Sequence, residues 1–375
     1  MNKSVKILLA FIAAILILQA ALGAQSPDRY FDTADAAHKE VRLAVCYPSV
    51  GTIKAIIALR KFGAINIKDL IVVGVYHAKE LTNYEDAKNY VKANNLDWFK
   101  FHKISAEISE PILFKSNACI PDFEAAFKKS DGIIFFGGPD IPPSIFKQKT
   151  SLLSAIEDPC RHYMELSFIF HLLGGSQDEN FKGLLESKPD FPVLGICLGC
   201  QTLNVGTGGT LIQDLWSEIY GKNYVEDIIA LGEEYWHKNP YYLLYPEENL
   251  SFYSNHTIKL DPKSMFSKAM GFHPNDHPYV SSSHHQALDK LGKGFWVSAT
   301  SQDGKVAEHI EHTRFPNVVG VQYHPERYSI WEGTPKYRFT PQDKEAVDLR
   351  TFMESHPPSM QFHKKIWAWL TQRLR

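Results

Sequence analysis

Cys197 stands between Gly195 and Gly199 in "GICLGCQTLNVGTGGT" (195–210), straight after the apolar run "FPVL" and ahead of a helix-like segment. A G-x-C-x-G turn of this kind is how a strand-to-helix elbow lifts a nucleophile clear of its sheet. The two glycines let the backbone pass closely and adopt dihedrals that side chains resist. A cysteine there sits at the amino end of the helix, where the dipole favours thiolate. The base such a thiol needs is offered by "VVGVQYHPERY" (318–328). His324 and Glu326 lie two apart on what reads as a strand end, so their side chains share a side. Pro325 fixes the angle between them. Glu326 can hold the imidazole in the right tautomer and stabilise its cation, the third-group role of a catalytic triad. The oxyanion formed on attack needs donors, and the backbone N–H groups of Leu198 and of Gly138 in "FFGGPD" are the candidates. One such donor is typically worth ~3 kcal/mol of barrier. The chemistry implied is acyl transfer to water through a thioester.

The elements that must position these groups alternate along the chain. Strands are expected at 42–47, 70–76, 98–104, 131–138 and 190–196, with helices at 52–63, 83–94 and 120–130 between them. Apolar runs separated by helical spacing predict a mostly parallel central sheet with helices on both faces. Ligands bind such sheets at the carboxyl ends of the strands. The glycine turns at 137–138 and 195–199 both fall at such ends and should converge. The tail 359–375 spaces Phe362, Ile366, Trp369 and Leu370 along one helical face, which predicts docking onto the body of the protein. The aromatic tract 235–253 reads as a packed insertion ahead of a cap over the site.

Composition excludes several classes. A chain of 375 residues, 44% hydrophobic, is long enough to bury a full core. A net charge of −2 argues against a dedicated nucleic-acid binder. "GGTLIQD" (208–214) lacks the lysine and glycine spacing of a phosphate loop. Residues 1–24 have two lysines, an uncharged apolar run and small residues before Gln25, the layout of a secretory signal. The run also approaches membrane-spanning length, so an uncleaved anchor is the alternative. The expectation is an exported protein, periplasmic or extracellular, touching a membrane only if the signal stays on. Five cysteines, Cys46, Cys119, Cys160, Cys197 and Cys200, are too few for a disulfide scaffold, and the odd number leaves one thiol over for chemistry. "CLGC" also fits the redox dithiol motif, but that reading leaves His324, Glu326 and the 137–138 turn unexplained. Cys200 is expected to pack under the helix as a small hydrophobe. A Cys197–Cys200 disulfide would silence the enzyme.

Four stretches, "PVLGICLGCQTLNVGTGGTLIQDL" (192–215), "FFGGPDIPPSIF" (135–146), "SSSHHQALDKLGKGF" (281–295) and "GVQYHPE" (320–326), resemble the class I glutamine amidotransferase fold. Within it they resemble the branch of γ-glutamyl-γ-aminobutyrate hydrolases and γ-glutamyl hydrolases, a cysteine peptidase family. "RHYMELSFIFHLLGG" (161–175) is similar to an exported bacterial subgroup that carries insertions. The resemblance covers about residues 40–328 as one hydrolase domain, with 329–375 an extension packed on it. It implies Cys197 as nucleophile, His324 as base, Glu326 as third member, and Gly138 and Leu198 as oxyanion donors. It places Gln201 near the bound γ-glutamyl group and His284, His285 and Gln286 beside the pocket. No cofactor is implied. A metal at the paired histidines is not expected either, since no cysteine or carboxylate stands near them at ligand spacing.

The function expected is therefore a stand-alone hydrolase of small γ-glutamyl amides or peptides. Two alternatives remain open: a glutaminase component delivering ammonia to a partner synthetase, and a non-catalytic γ-glutamyl-binding protein. Export counts against the first and an intact triad against the second.

Overall fold

The computed structural model describes residues 28–273 and 275–374; the segment 1–24, with its expected signal, lies outside them. Its centre is a ten-stranded sheet in the order β3-β2-β1-β4-β5-β12-β11-β10-β7-β8. The half from β3 to β12 is parallel: β1 (Val41–Cys46), β2 (Leu70–His77), β3 (Phe99–Ile104), β4 (Gly132–Phe135), β5 (Val193–Ile196) and β12 (Val318–Val321). The other half is antiparallel: β11 (Ala307–His312), β10 (Phe295–Ser301), β7 (Ser254–Leu260) and β8 (Tyr279–Ser282). A two-stranded ribbon, β6 (Leu211–Ile212) with β9 (Ala287–Leu288), stands apart. None of the described helices is long and apolar enough to cross a membrane.

Successive strand residues feed opposite cores, as the two-residue repeat of a pleated strand requires. Leu43 and Val45 of β1 join one cluster, with Leu194 and Val319, while Ala44 and Cys46 join the other, with Val193 and Val318. The first cluster is covered by α1 (Val50–Lys61), the second by α3 (Ile120–Lys128), α4 (Pro159–Leu173) and α5 (Leu198–Gly206). A further helix, α2 (Tyr84–Ala93), packs Tyr84 and Ala87 on the first face. A serine opens α1 and an asparagine α2: Ser49 accepts from the Thr52 N–H and Asn83 from that of Glu85.

The stretch 161–175 falls almost wholly on one helix. This is α4, whose Asp158 cap accepts from the Arg161 N–H and most of whose residues are buried. The carboxyl-terminal segment packs on the same core. Helices α6 (Leu349–Ser355) and α7 (Ser359–Arg373) insert Leu349, Met353, Phe362, Ile366, Trp367 and Leu370 into the first cluster. Each such fully buried side chain contributes ~1.5–3 kcal/mol of transfer free energy.

Candidate active site

The elbow at the end of β5 is tight enough to specify both of its glycines. A Cβ on Gly195 would lie 2.4 Å from the Gly199 carbonyl oxygen, and one on Gly199 would lie 2.0 Å from the carbonyl oxygen of Phe135. Between them Cys197 takes φ 52° and ψ −106°, outside the ordinary regions for an L-residue. It caps α5, and its own N–H is tied to the Val321 oxygen of β12 at 2.8 Å. Strained backbone of this kind costs on the order of 1–3 kcal/mol and persists only where the surroundings impose it.

His324 and Glu326 meet, though not by strand alternation. β12 ends at Val321, and the pair is brought together in the turn that follows. Glu326 Oε1 lies 2.8 Å from His324 Nδ1. Nε2 lies 3.1 Å from the Ser283 hydroxyl, and Cys197 lies beside the ring. Burial alone would lower the imidazole's pKa. The carboxylate of Glu326, then the sulfur of Cys197, outweigh it and hold His324 well above its ordinary value. That balance favours the imidazolium form of His324. Tyr253 closes over the ring edge to face, with centroids 5.2 Å apart.

Two tryptophans fix the turn from beneath. Trp331 and Trp367 each donate an indole N–H to the Pro325 carbonyl, at 3.0 and 3.1 Å. The second comes from α7, so the carboxyl-terminal helix supports the base directly.

The turn after β4 converges on the same point. Gly137 leaves room for the pair: a Cβ there would be 2.9 Å from His324 Cε1 and 3.4 Å from Cys197 Cβ. Gly138 is specified by a buried arginine. Its missing side chain would point not at substrate but into Arg161, 1.8 Å from Nη1. Arg161 is fully buried, donates to the carbonyl oxygens of Phe136 (2.8 Å) and Gly137 (3.0 Å), pairs with Glu165 at 2.9 Å, and stacks on Tyr47. With both carbonyls drawn back onto the guanidinium, the turn's orientation is fixed. Among the described residues, neither the Gly138 nor the Leu198 N–H has a backbone acceptor.

Cys197 and His324 open onto a cavity of about 680 Å³. Its lining carries both signs of charge: Lys238 and Arg327, and Asp140 and Glu157. The aromatic tract 235–253 does two things: Trp236 packs into a small separate cluster, while Lys238, Phe252 and Tyr253 line the cavity.

A family model described as peptidase C26 matches residues 71–326. The chain belongs to the peptidase C26 family. It is 31% identical over 214 residues to a glutamine amidotransferase-like protein of Rickettsia prowazekii, covering 52% of this chain and 70% of that one. A similarly named protein of Lactococcus lactis is 31% identical over 202 residues, 54% of this chain and 67% of the other. The glutamine-hydrolysing GMP synthase of Plasmodium falciparum shares 26% identity over 157 residues, 41% of this chain and 26% of its own. This C26 member is a glutamine amidotransferase-like α/β protein of the cysteine-hydrolase type. The matched region ends at Glu326, so Trp331 and Trp367 lie beyond it.

Of the residues that resemblance placed beside substrate, His285 alone lines the cavity. Gln201 is 4% exposed, one turn along α5, and forms no part of the wall. His284 and Gln286 point away from the cavity into the protein and are buried. Cys200 is fully buried, with Gly320 of β12 directly against its sulfur, and all five cysteines are free thiols. Burial pushes the Cys200 thiol well up, which opposes dithiol chemistry.

His285 is held between Asp140 (3.1 Å) and Asp214 (3.4 Å). Burial would lower its pKa, but hydrogen bonds to the two carboxylates raise it to about 9 from 6.5. A raised folded pKa gives stability that is complete below pH 6.5 and lost as pH climbs through about 9. His285→Gln should therefore cost most at pH 6, on the order of 3 kcal/mol at most. The difference in Tm from the parent should vanish in alkaline buffer, and a difference unchanged from pH 6 to alkaline pH would refute the assignment.

Proposed function

We propose that this protein hydrolyses the γ-amide bond of small γ-glutamyl compounds through Cys197, His324 and Glu326. The observation that carries the reading is a convergence: Glu326 clamps His324 at 2.8 Å, and a Cβ on Gly137 would lie 2.9 Å from the His324 ring and 3.4 Å from Cys197 Cβ, so imidazole and cysteine border one gap that only glycine leaves open. The thiolate attacks the amide carbonyl, and the N–H groups of Leu198 and Gly138 receive the oxyanion. His324 gives its proton to the leaving amine, and a thioester remains on Cys197. His324 then takes a proton from water, which displaces the thioester and releases glutamate. The cavity's paired charges suit an α-amino acid zwitterion: Lys238 can meet the α-carboxylate, and Glu157 or Asp140 the ammonium. The expectation that the mature protein works outside the cytoplasm belongs to the same reading and fits a hydrolase that needs no ATP.

The test is amine release from a panel of γ-glutamyl amides by the isolated protein. Turnover without ATP or a second subunit is the expected result. Activity on glutamine alone, appearing only when a synthetase is added, would instead make the protein a glutaminase component. Binding without turnover in the parent would make it a binding protein.

A further inference from the structure

Away from the cavity, a second cluster of ionisable groups has no role in the reaction. His237 follows Trp236 in the aromatic tract, His256 lies on β7, His284 follows β8, and Glu308 lies on β11. Their exposures are 0%, 0%, 3% and 0%. Glu308 Oε1 is 3.0 Å from His237 Nδ1, 3.1 Å from His256 Nε2 and 3.8 Å from His284 Nε2. Only the middle contact is a hydrogen bond.

The tautomers follow from the other ring nitrogens. His284 Nδ1 lies 2.8 Å from the Gln286 carbonyl oxygen, which only accepts, so Nδ1 carries the proton and Nε2 presents a lone pair. That Nε2 is buried without a partner, as are both nitrogens of His237 and Oε2 of Glu308. His237 Nδ1 is near the carboxylate, yet its ring direction does not aim a hydrogen at the oxygen. Each buried polar atom left unpaired costs ~1–3 kcal/mol, so the cluster as protein alone is expensive. The ligand atoms of His237, His284 and Glu308 all lie within 4.8 Å of one another. Donors from separate residues around zinc at ~2.0–2.1 Å stand about 3.3–3.4 Å apart, and the two imidazole nitrogens here lie 3.0 and 3.8 Å from Glu308 Oε1.

We propose that His237 Nδ1, His284 Nε2 and both carboxylate oxygens of Glu308 bind a divalent zinc-type ion, with His256 Nε2–H holding the carboxylate in place. Two imidazoles and a carboxylate suit zinc, and the Gln286 carbonyl behind His284 is the outer contact that usually orients a ligating histidine. The ion is structural, since burial leaves no open position for substrate. It ties the aromatic tract and β11 to the segment that follows β8. That segment carries Ser283, which contacts His324, and His285 on the cavity wall. Sequence spacing hid the set because its carboxylate comes from an antiparallel strand that the fold, not the local chain, brings alongside.

Tag-free protein from zinc-supplemented cells, passed through gel filtration, is measured for metal by mass spectrometry. About one zinc per chain is expected, falling below about 0.1 in His237→Gln and in His284→Gln, because the protein ligands set the affinity. Cobalt(II) introduced by growth should give the visible bands of a low-symmetry, four-coordinate site in the parent. A chelator should lower the Tm of the parent. Less than about 0.1 zinc per chain in the parent, both as purified and after refolding with excess zinc, would overturn the proposal. So would stoichiometric zinc retained by both variants. The parent measurements decide the matter even if the variants fail to fold.

Discussion

Cys197→Ala should lose ~10⁴-fold or more in kcat on any γ-glutamyl amide the parent cleaves, while keeping its fold. Removing a nucleophile from a triad abolishes the covalent route, and what remains is the residual effect of binding and oxyanion donors. His324→Ala should fall about as far, and the double variant little further, because the groups act as one unit. The stability arm of the same experiment separates chemistry from structure. At φ 52° alanine suffers as cysteine does, so Cys197→Ala should leave Tm nearly unchanged. Cys197→Gly should gain roughly 1 kcal/mol or more by releasing the strain, and lose activity equally. Kinetics on the folded variants read the first effect and thermal denaturation the second. A Cys197→Ala protein that still turned over would remove the basis of the proposed mechanism.

Some of this was legible in the chain and some was not, for physical reasons. The parallel half announces itself because both faces of each strand are buried, so 42–46 or 70–76 reads as one apolar run. The elbow shows because glycines 195 and 199 are demanded by backbone contact. The antiparallel half is hidden: β7 (SNHTIKL) and β11 (AEHIEH) turn histidines and glutamates inward, and the apolar alternation that marks a strand disappears. Resemblance led to His284 and Gln286 as substrate neighbours, yet adjacency in "SHHQ" puts His285 on the cavity and the residues on either side of it into the interior. Arg161 was missed because a buried arginine in an apolar helix leaves no local signal. Only its presence in a helix whose other positions are largely apolar, PCRHYMELSFIFHLL, could have drawn notice. The support that Trp367 gives Pro325 spans the length between two elements that no spacing connects.

Arg161→Met should destabilise the protein by about 3–5 kcal/mol, because it strands the Glu165 carboxylate in the core. Arg161 and Glu165 are both fully buried, and one nitrogen and one oxygen of the pair already lack partners. Their attraction therefore offsets a large desolvation cost rather than adding a surplus. Replacing both, in Arg161→Met with Glu165→Leu, should recover much of the stability, since an apolar pair avoids that cost. Activity should not recover with it. The guanidinium also holds the Phe136 and Gly137 carbonyl oxygens, and through them the direction of the Gly138 N–H. Without that hold the turn is free to shift, and a misplacement of about 1 Å can cost ~10²-fold in rate. The double variant should thus denature close to the parent yet show kcat down by at least ~10-fold with KM little changed, the signature of a group that serves the transition state. Equal recovery of stability and kcat in the double variant would reduce Arg161 to a packing residue and leave the orientation of the oxyanion turn to the backbone alone.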